Sequence, residues 1–213
     1  SADGHATFAD VSASVRGFDV CACSQLLDAV ARQRLSTSYD HDGNCAGAGI
    51  ADSAIQTDLI IKLKQQARAG RSLGTADCPM QWVQAYSHVA ANDLAATAVS
   101  AVATVIVESL PESTNSLFLA GGGTRNLTLR GAITTLAAAR GIEMFMPCGS
   151  RPGQGEGDRH DMYASYREAI SWAVLGALSQ DQVPVTLPGS TGVAQPPLAG
   201  LWAYPPYEKH ERC

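Results

Sequence analysis

Apolar and polar residues alternate in two short runs near the start of the chain. They are A-T-F-A-D-V at 6–11 and V-R-G-F-D-V at 15–20, and the polar turn 12–14 lies between them. This alternation predicts two strands. From Ser24, a residue type that caps helices, Leu26, Leu27, Val30 and Ala31 share one face, which predicts a helix over 24–34. Residues 39–49 read as a loop with a turn at D-H-D-G-N. Ile55, Leu59, Ile60 and Leu63 then recur at the helical period, predicting a helix over 52–69. The stretch 70–79 is Gly-rich and polar, a loop. An Ala/Val run predicts a long helix over 90–110, stopped by Pro111.

The second half of the chain alternates between the two periods. S-L-F-L-A at 116–120 is a short strand that runs straight into three glycines. Residues 127–140 are helical, Gly141 ends that helix, and 142–146 form another strand. The run 149–159 has four glycines and several charges and reads as a surface loop. A helix over 163–178 follows, then an irregular Pro-rich tail from Val183. Strands first, then alternating helix and strand, predict one α/β domain with a mixed sheet and helices on both faces. Gly121–Gly123 belong at the carboxyl end of their strand.

Composition narrows the function classes. Hydrophobic residues make up 46% and charged residues 16%, enough for a substantial core. The net charge of −5 leaves no basic footprint for nucleic acid or an anionic membrane surface. The longest apolar stretch, 94–107, holds Thr97, Ser100 and Thr104 and falls short of the roughly 18 residues of a membrane span. It reads as a buried helix. The six cysteines are irregularly spaced, as in reduced cytosolic proteins. Cys21 and Cys23 form a C-A-C with no second pair to complete a zinc site, so both are expected as free thiols and no metal site is assigned. No basic-then-apolar leader stands at the start, and the expected location is the cytoplasm.

Four places carry candidate chemistry. Asp19, in G-F-D-V, would stand at the end of a strand before a helix, where open α/β sheets bind ligands. There it is a proton acceptor or metal-orienting group; otherwise it is a turn or capping aspartate. The run G-G-G-T-R-N at 121–126 lets backbone approach a ligand and opens onto helix N–H groups. It suits a nucleotide, although it is neither of the common phosphate-loop patterns, and a tight packing turn is the other choice. Glu168 is a carboxylate on a largely apolar helix, either held for a ligand or exposed on the polar side. Y-D-H-D-G at 39–43 sets two acids round a histidine, and a solvated turn is preferred there over a metal site.

These pieces occur in an order that resembles the anhydro-N-acetylmuramic acid kinases. G-F-D at 17–19 and L-L-D-A at 26–29 resemble that family's F-D-T-G-P-G-N and L-[IM]-D-A. Y-D-H-D-G at 39–43 with A-G-A-G at 46–49 resembles Y-D-x-D-G and A-A-x-G. L-F-L-A-G-G-G-T-R-N at 117–126 is similar to L-x-V-C-G-G-G-A-x-N, and R-E-A-I-S-W-A-V-L-G at 167–176 to K-E-A-x-A-F-A-x-L-A. L-P-G-S-T-G-V-A-Q-P-P-L-A-G at 187–200 resembles L-P-x-V-T-G-A-x-x-P-x-x-L-G. The match runs in register over 1–205, and its pieces are specific only as a set.

The resemblance implies the actin-like ATPase superfamily, with two ribonuclease-H-like domains and a cleft between them. It implies an enzyme that uses ATP and Mg2+ to open the 1,6-anhydro bond of an amino sugar and phosphorylate its 6-oxygen. Carried over, Asp19 matches the general base, Glu168 a sugar contact, and Gly121, Gly122, Gly123 and Asn126 the adenosine-side loop. Residues 1–213 correspond to the carboxy-terminal half as one domain, and the amino-terminal lobe with its phosphate hairpin has no counterpart. The expected partners are the anhydro-amino-sugar and that missing lobe, and a homodimer is an assembly it admits. Two departures stand out. Val20–Ser24 replaces the glycine-bearing T-G-P-G-N, and P-P-K-S-T-G-R-E has no clear counterpart near 69–81. The altered Val20–Ser24 loop and the missing half favour, as an alternative, an inactive pseudokinase or a sugar- or nucleotide-binding module of the same fold.

Overall fold

The computed structural model describes residues 15–146, 158–195 and 197–198. Leu26, Ala29 and Val30 form the buried stripe of helix α1 (Cys23–Val30), which continues into a π-turn (Ala31–Leu35) and ends on Ser36 in the left-handed region. After a 3-10 turn (His41–Gly43) comes α2 (Asn44–Gly47). Helix α3 (Ser53–Ala69) starts where the Asp52 side chain accepts the Ala54 and Ile55 N–H groups, an N-cap that satisfies orphan donors. Leu59 and Leu63, one turn apart, are its fully buried pair. A 3-10 turn (Thr75–Asp77) and the short helix α4 (Met80–Ala85) follow.

Helix α5 (Ala91–Glu108) is the centre of the fold. Leu94, Ala98, Ala101, Val102, Ala103 and Val105 are all inaccessible, so burial runs round the helix rather than along one stripe. α1, α2, α3 and helix α6 (Leu127–Ala139) all pack on it. Its small side chains let neighbouring backbone come close. A Cβ on Gly49 would lie 2.1 Å from Asn92 O, so only glycine fits there. By length and apolar character this helix is able to cross a membrane, but it serves as the core helix of the fold. The far ends of α5 and α6 are tied together by Arg140, whose guanidinium donates to Val107 O, Leu110 O (3.2 Å) and Pro111 O (3.1 Å).

Strands β1 (Ser116–Phe118) and β2 (Glu143–Phe145) pair in parallel, Leu117 opposite Met144, with α6 as the crossover that parallel pairing requires. Helix α7 (Asp158–Gln180) and a short α8 (Pro188–Thr191) follow and complete the elements among the described residues. The chain divides into two compact units, Phe18–Arg167 and Glu168–Cys213 with Ser1–Gly17, and the boundary falls within α7. In the second unit Ile170, Trp172 and Val174 are exposed on α7.

The α/β class stands, but the sheet differs from the sequence expectation. Among the described residues it is two parallel strands, not a mixed sheet with helices on both faces. Residues 15–20 are coil and not a strand, and 15–19 are exposed. Among the described residues their alternation finds no ladder; the Asp19 N–H donates to Arg71 O at 3.3 Å instead. The run 6–11 and most of the 149–159 loop lie outside the described residues. Ser24 does not cap α1. It is the helix's second residue, and Ala22 holds the cap position without a side-chain bond. The Pro-rich tail is not wholly irregular, since Pro188 sits in the first turn of α8, where its missing N–H costs nothing.

Candidate functional site

A cleft of about 860 Å³ opens between three segments of the first unit: the start of α1, the turn 39–42, and the loop 122–130 that enters α6. The turn is built by two successive left-handed residues, Asp42 (φ 54°) and Gly43 (φ 72°), which reverse the chain within one step. Asp40 fixes the turn from below, accepting the Cys45 N–H on Oδ1 and the Ala46 N–H on Oδ2, both at 2.9 Å. It therefore works as a cap for α2. Asp42 Oδ2 lies 3.0 Å from His41 Nδ1. The rings of Tyr39 and His41 stack with centroids 6.0 Å apart and planes 30° apart.

The opposite wall is the glycine loop. β1 runs out through Leu119, whose N–H still bonds Phe145 O at 2.9 Å, and Gly121 then takes φ 95°. Residues Gly122–Arg125 form a 3-10 turn closed by the buried Thr124, whose hydroxyl donates to Gly121 O at 2.7 Å. The three glycines thus stand between strand and helix, at the carboxyl end of β1. Gly122 and Gly123 line the cleft, and a Cβ on either would meet nothing within 4 Å. Asn126 caps α6 by accepting the Leu129 N–H at 2.9 Å.

The two walls interlock. A Cβ on Gly43 would stand 2.2 Å from Asn126 Oδ1, and Thr128 Oγ1 donates to Gly43 O at 2.7 Å. Glycine at 43 is therefore needed both for its dihedral and for its lack of bulk. Gly122, Gly123 and Asn126 are brought together in the cleft, with Gly121 setting up their turn. The Tyr39–Asp42 run, read from sequence as a solvated turn, is the facing wall. Among the described residues no three His, Cys, Asp or Glu side chains converge on a metal-sized point.

Asp19 stands elsewhere in the same unit, exposed and outside that lining. Its Oδ2 accepts the Leu73 N–H at 2.7 Å. The segment that holds it is itself locked. Arg71 forks onto Asp77 at 2.6 and 3.1 Å, and Asp77 Oδ2 accepts the Gly74 N–H at 2.7 Å. These bonds from Arg71 and then Gly74 hold the Asp77 carboxyl below the usual 3.8. Gln66 bridges the two segments of this knot: its Oε1 accepts the Ala22 N–H at 2.9 Å, and its Nε2 donates to Asp77 O at 2.6 Å. The role of 71–77 is not legible from 69–81 as a whole. Its signal is the order basic, Ser, x, Gly at Arg71–Gly74, shared with K-S-T-G of the resembled motif.

Cys21 and Cys23 are free thiols. Burial pushes Cys21 up to about 12, with the neighbouring Cys23 adding to it. Burial likewise pushes Cys23 up to about 11, with Asp28 adding to it. Both are therefore protonated and unreactive at neutral pH. Glu168 is exposed on α7 and belongs to the second compact unit.

Comparison with known proteins agrees with this arrangement of motifs. The family model for anhydro-N-acetylmuramic acid kinase matches residues 7–205. An anhydro-N-acetylmuramic acid kinase of Rhizobium johnstonii is 27% identical over 203 residues, covering 93% of this chain and 51% of its own length. That of Bordetella avium is 27% identical over 208 residues, with 92% and 51% covered. That of Rhizobium etli is 29% identical over 203 residues, with 93% and 50% covered. The chain spans about half the length of the curated relatives it matches. With the family model matching nearly its whole length, the chain belongs to the anhydro-N-acetylmuramic acid kinase family.

Proposed function

We propose that this chain is the carboxy-terminal, ribonuclease-H-like lobe of an ATP-dependent sugar kinase of the actin-like type. The reaction opens the 1,6-anhydro bond of anhydro-N-acetylmuramic acid with water and phosphorylates the 6-oxygen, a step of peptidoglycan recycling in the cytoplasm. The observation that carries this reading is the cleft in which a bare glycine loop, Gly121–Gly123 with Asn126, faces the Tyr39–Asp42 turn. The open space beyond Gly122 and Gly123 fits a ligand lying against backbone. ATP, when bound, supplies the phosphoryl group.

In this reading Asp19 accepts the proton of the attacking water. The Leu73 N–H fixes one carboxylate oxygen and so orients the other. Glu168 holds the sugar, and a lobe outside this sequence supplies the phosphate-binding hairpin. Phosphoryl transfer is mostly positioning and charge stabilisation, so one wall of the cleft gives little turnover by itself.

A binding module without turnover is the second reading, and one observation favours it. At the start of α1, where a glycine-bearing loop would offer amides to phosphate, the Ala22 N–H is taken by Gln66 and the Cys23 N–H by Cys21 O at 2.7 Å. Calorimetric titration with ATP–Mg2+ tests the nucleotide site. Gly122→Val, whose Cβ would meet nothing within 4 Å in the protein, is expected to weaken binding at least about tenfold. Equal binding by both proteins would make the loop purely structural. A coupled ADP-release assay with the anhydro-sugar tests turnover; robust activity lost in Asp19→Asn would place a complete active site within these residues and overturn the one-lobe reading.

A further inference from the structure

We propose that Tyr39 and His41 form the platform on which the purine base of the nucleotide stacks. This rests on the nucleotide reading of the glycine loop and adds the residues that grip the base. Tyr39 is 55% exposed and the His41 side chain 73%, so neither ring is part of the core. Both line the cleft, and the turn His41–Gly43 packs against the turn Gly122–Arg125. The rings therefore stand across from backbone that carries no side chain.

A flat aromatic ligand suits that space. One of its faces meets the tilted Tyr39–His41 pair, and its sugar side meets Gly122 and Gly123 without a Cβ in the way. The Asp42 carboxylate lies 3.0 Å from His41 Nδ1, close enough to bias the ring's orientation. The turn is preorganised before any ligand arrives, since Asp40 and Thr128 pin it on both sides.

Equilibrium binding of ATP, adenosine, tripolyphosphate and the anhydro-sugar to the full chain tests this, with circular dichroism as a check on folding. Because Tyr39 and His41 are exposed, Tyr39→Ala and His41→Ala are expected to fold normally. Each is expected to weaken ATP and adenosine by the same factor, roughly tenfold. Tripolyphosphate binding stays unmoved, and Tyr39→Phe binds like the parent. If Gly122→Val loses ATP while the two alanine variants bind it as the parent does, the platform is refuted and the nucleotide site survives. If the alanine variants lose the sugar and keep adenosine, the rings serve the wrong ligand for this proposal and it falls. If neither ATP nor adenosine binds the parent chain, both the platform and the nucleotide reading fall.

Discussion

Gly43 and Asn126 carry the shape of the cleft in a single contact. At Gly43 a methyl group would both force a left-handed alanine and intrude to 2.2 Å from Asn126 Oδ1. Gly43→Ala is therefore expected to lower stability by about 2–4 kcal/mol, read from urea unfolding. Asn126→Ala loses only a cap and is expected to cost about 1 kcal/mol. Asp77 makes a pH prediction. Its carboxyl is held below 3.8 by Arg71 and Gly74 in the folded state. Its contribution is complete above 3.8 and is lost as the pH falls through the depressed folded value. Limited proteolysis of 66–77 should accelerate in that acid range, and Asp77→Asn should remove the pH dependence. The thiols behave in the opposite sense. Folded values of about 12 and 11 for Cys21 and Cys23 lie above the ordinary 9.0, so stability is unaffected below pH 9.0 and falls as the pH rises through that interval. At neutral pH iodoacetamide should alkylate both only slowly until the protein is unfolded, as mass spectrometry would show.

Long, strongly periodic elements were the most legible. α3 and α5 lie within two residues of their sequence limits, because Leu59, Leu63 and the Ala/Val run of α5 state the helical period over several turns. α4 escaped notice: six residues behind Pro79 are too few to show a period, yet they bury Trp82 and Val83. The run 15–20 misled for the converse reason, since alternation specifies a face but not a partner, and a strand exists only by pairing. Of the candidate site, the position of the glycine loop between strand and helix was legible, because an apolar run that ends in three glycines marks where a strand stops. The Tyr39–Asp42 wall was not, because the contact that makes it a wall, Gly43 on Asn126, joins residues more than eighty positions apart. The β1–α6–β2 unit makes an element-level prediction. Shortening Arg140 to alanine frees Val107 O, Leu110 O and Pro111 O together, and should cost about 1–3 kcal/mol, with amide exchange accelerating first at 107–111.

Across the molecule, both walls of the cleft rest on α5: α1 and α2 from one side of the sequence, α6 from the other. Ala98, Ala101 and Ala103 have no accessible surface, and overpacking such sites costs about 1–3 kcal/mol for a few added methylenes. A saturation library scored for soluble expression should therefore be least tolerant along α5 and permissive at Tyr39 and His41. Scored instead for retention on immobilised ATP, the same library should turn sharply intolerant at those two rings. The fold and the ligand would then be read as two separate selective histories written on different residues of one chain.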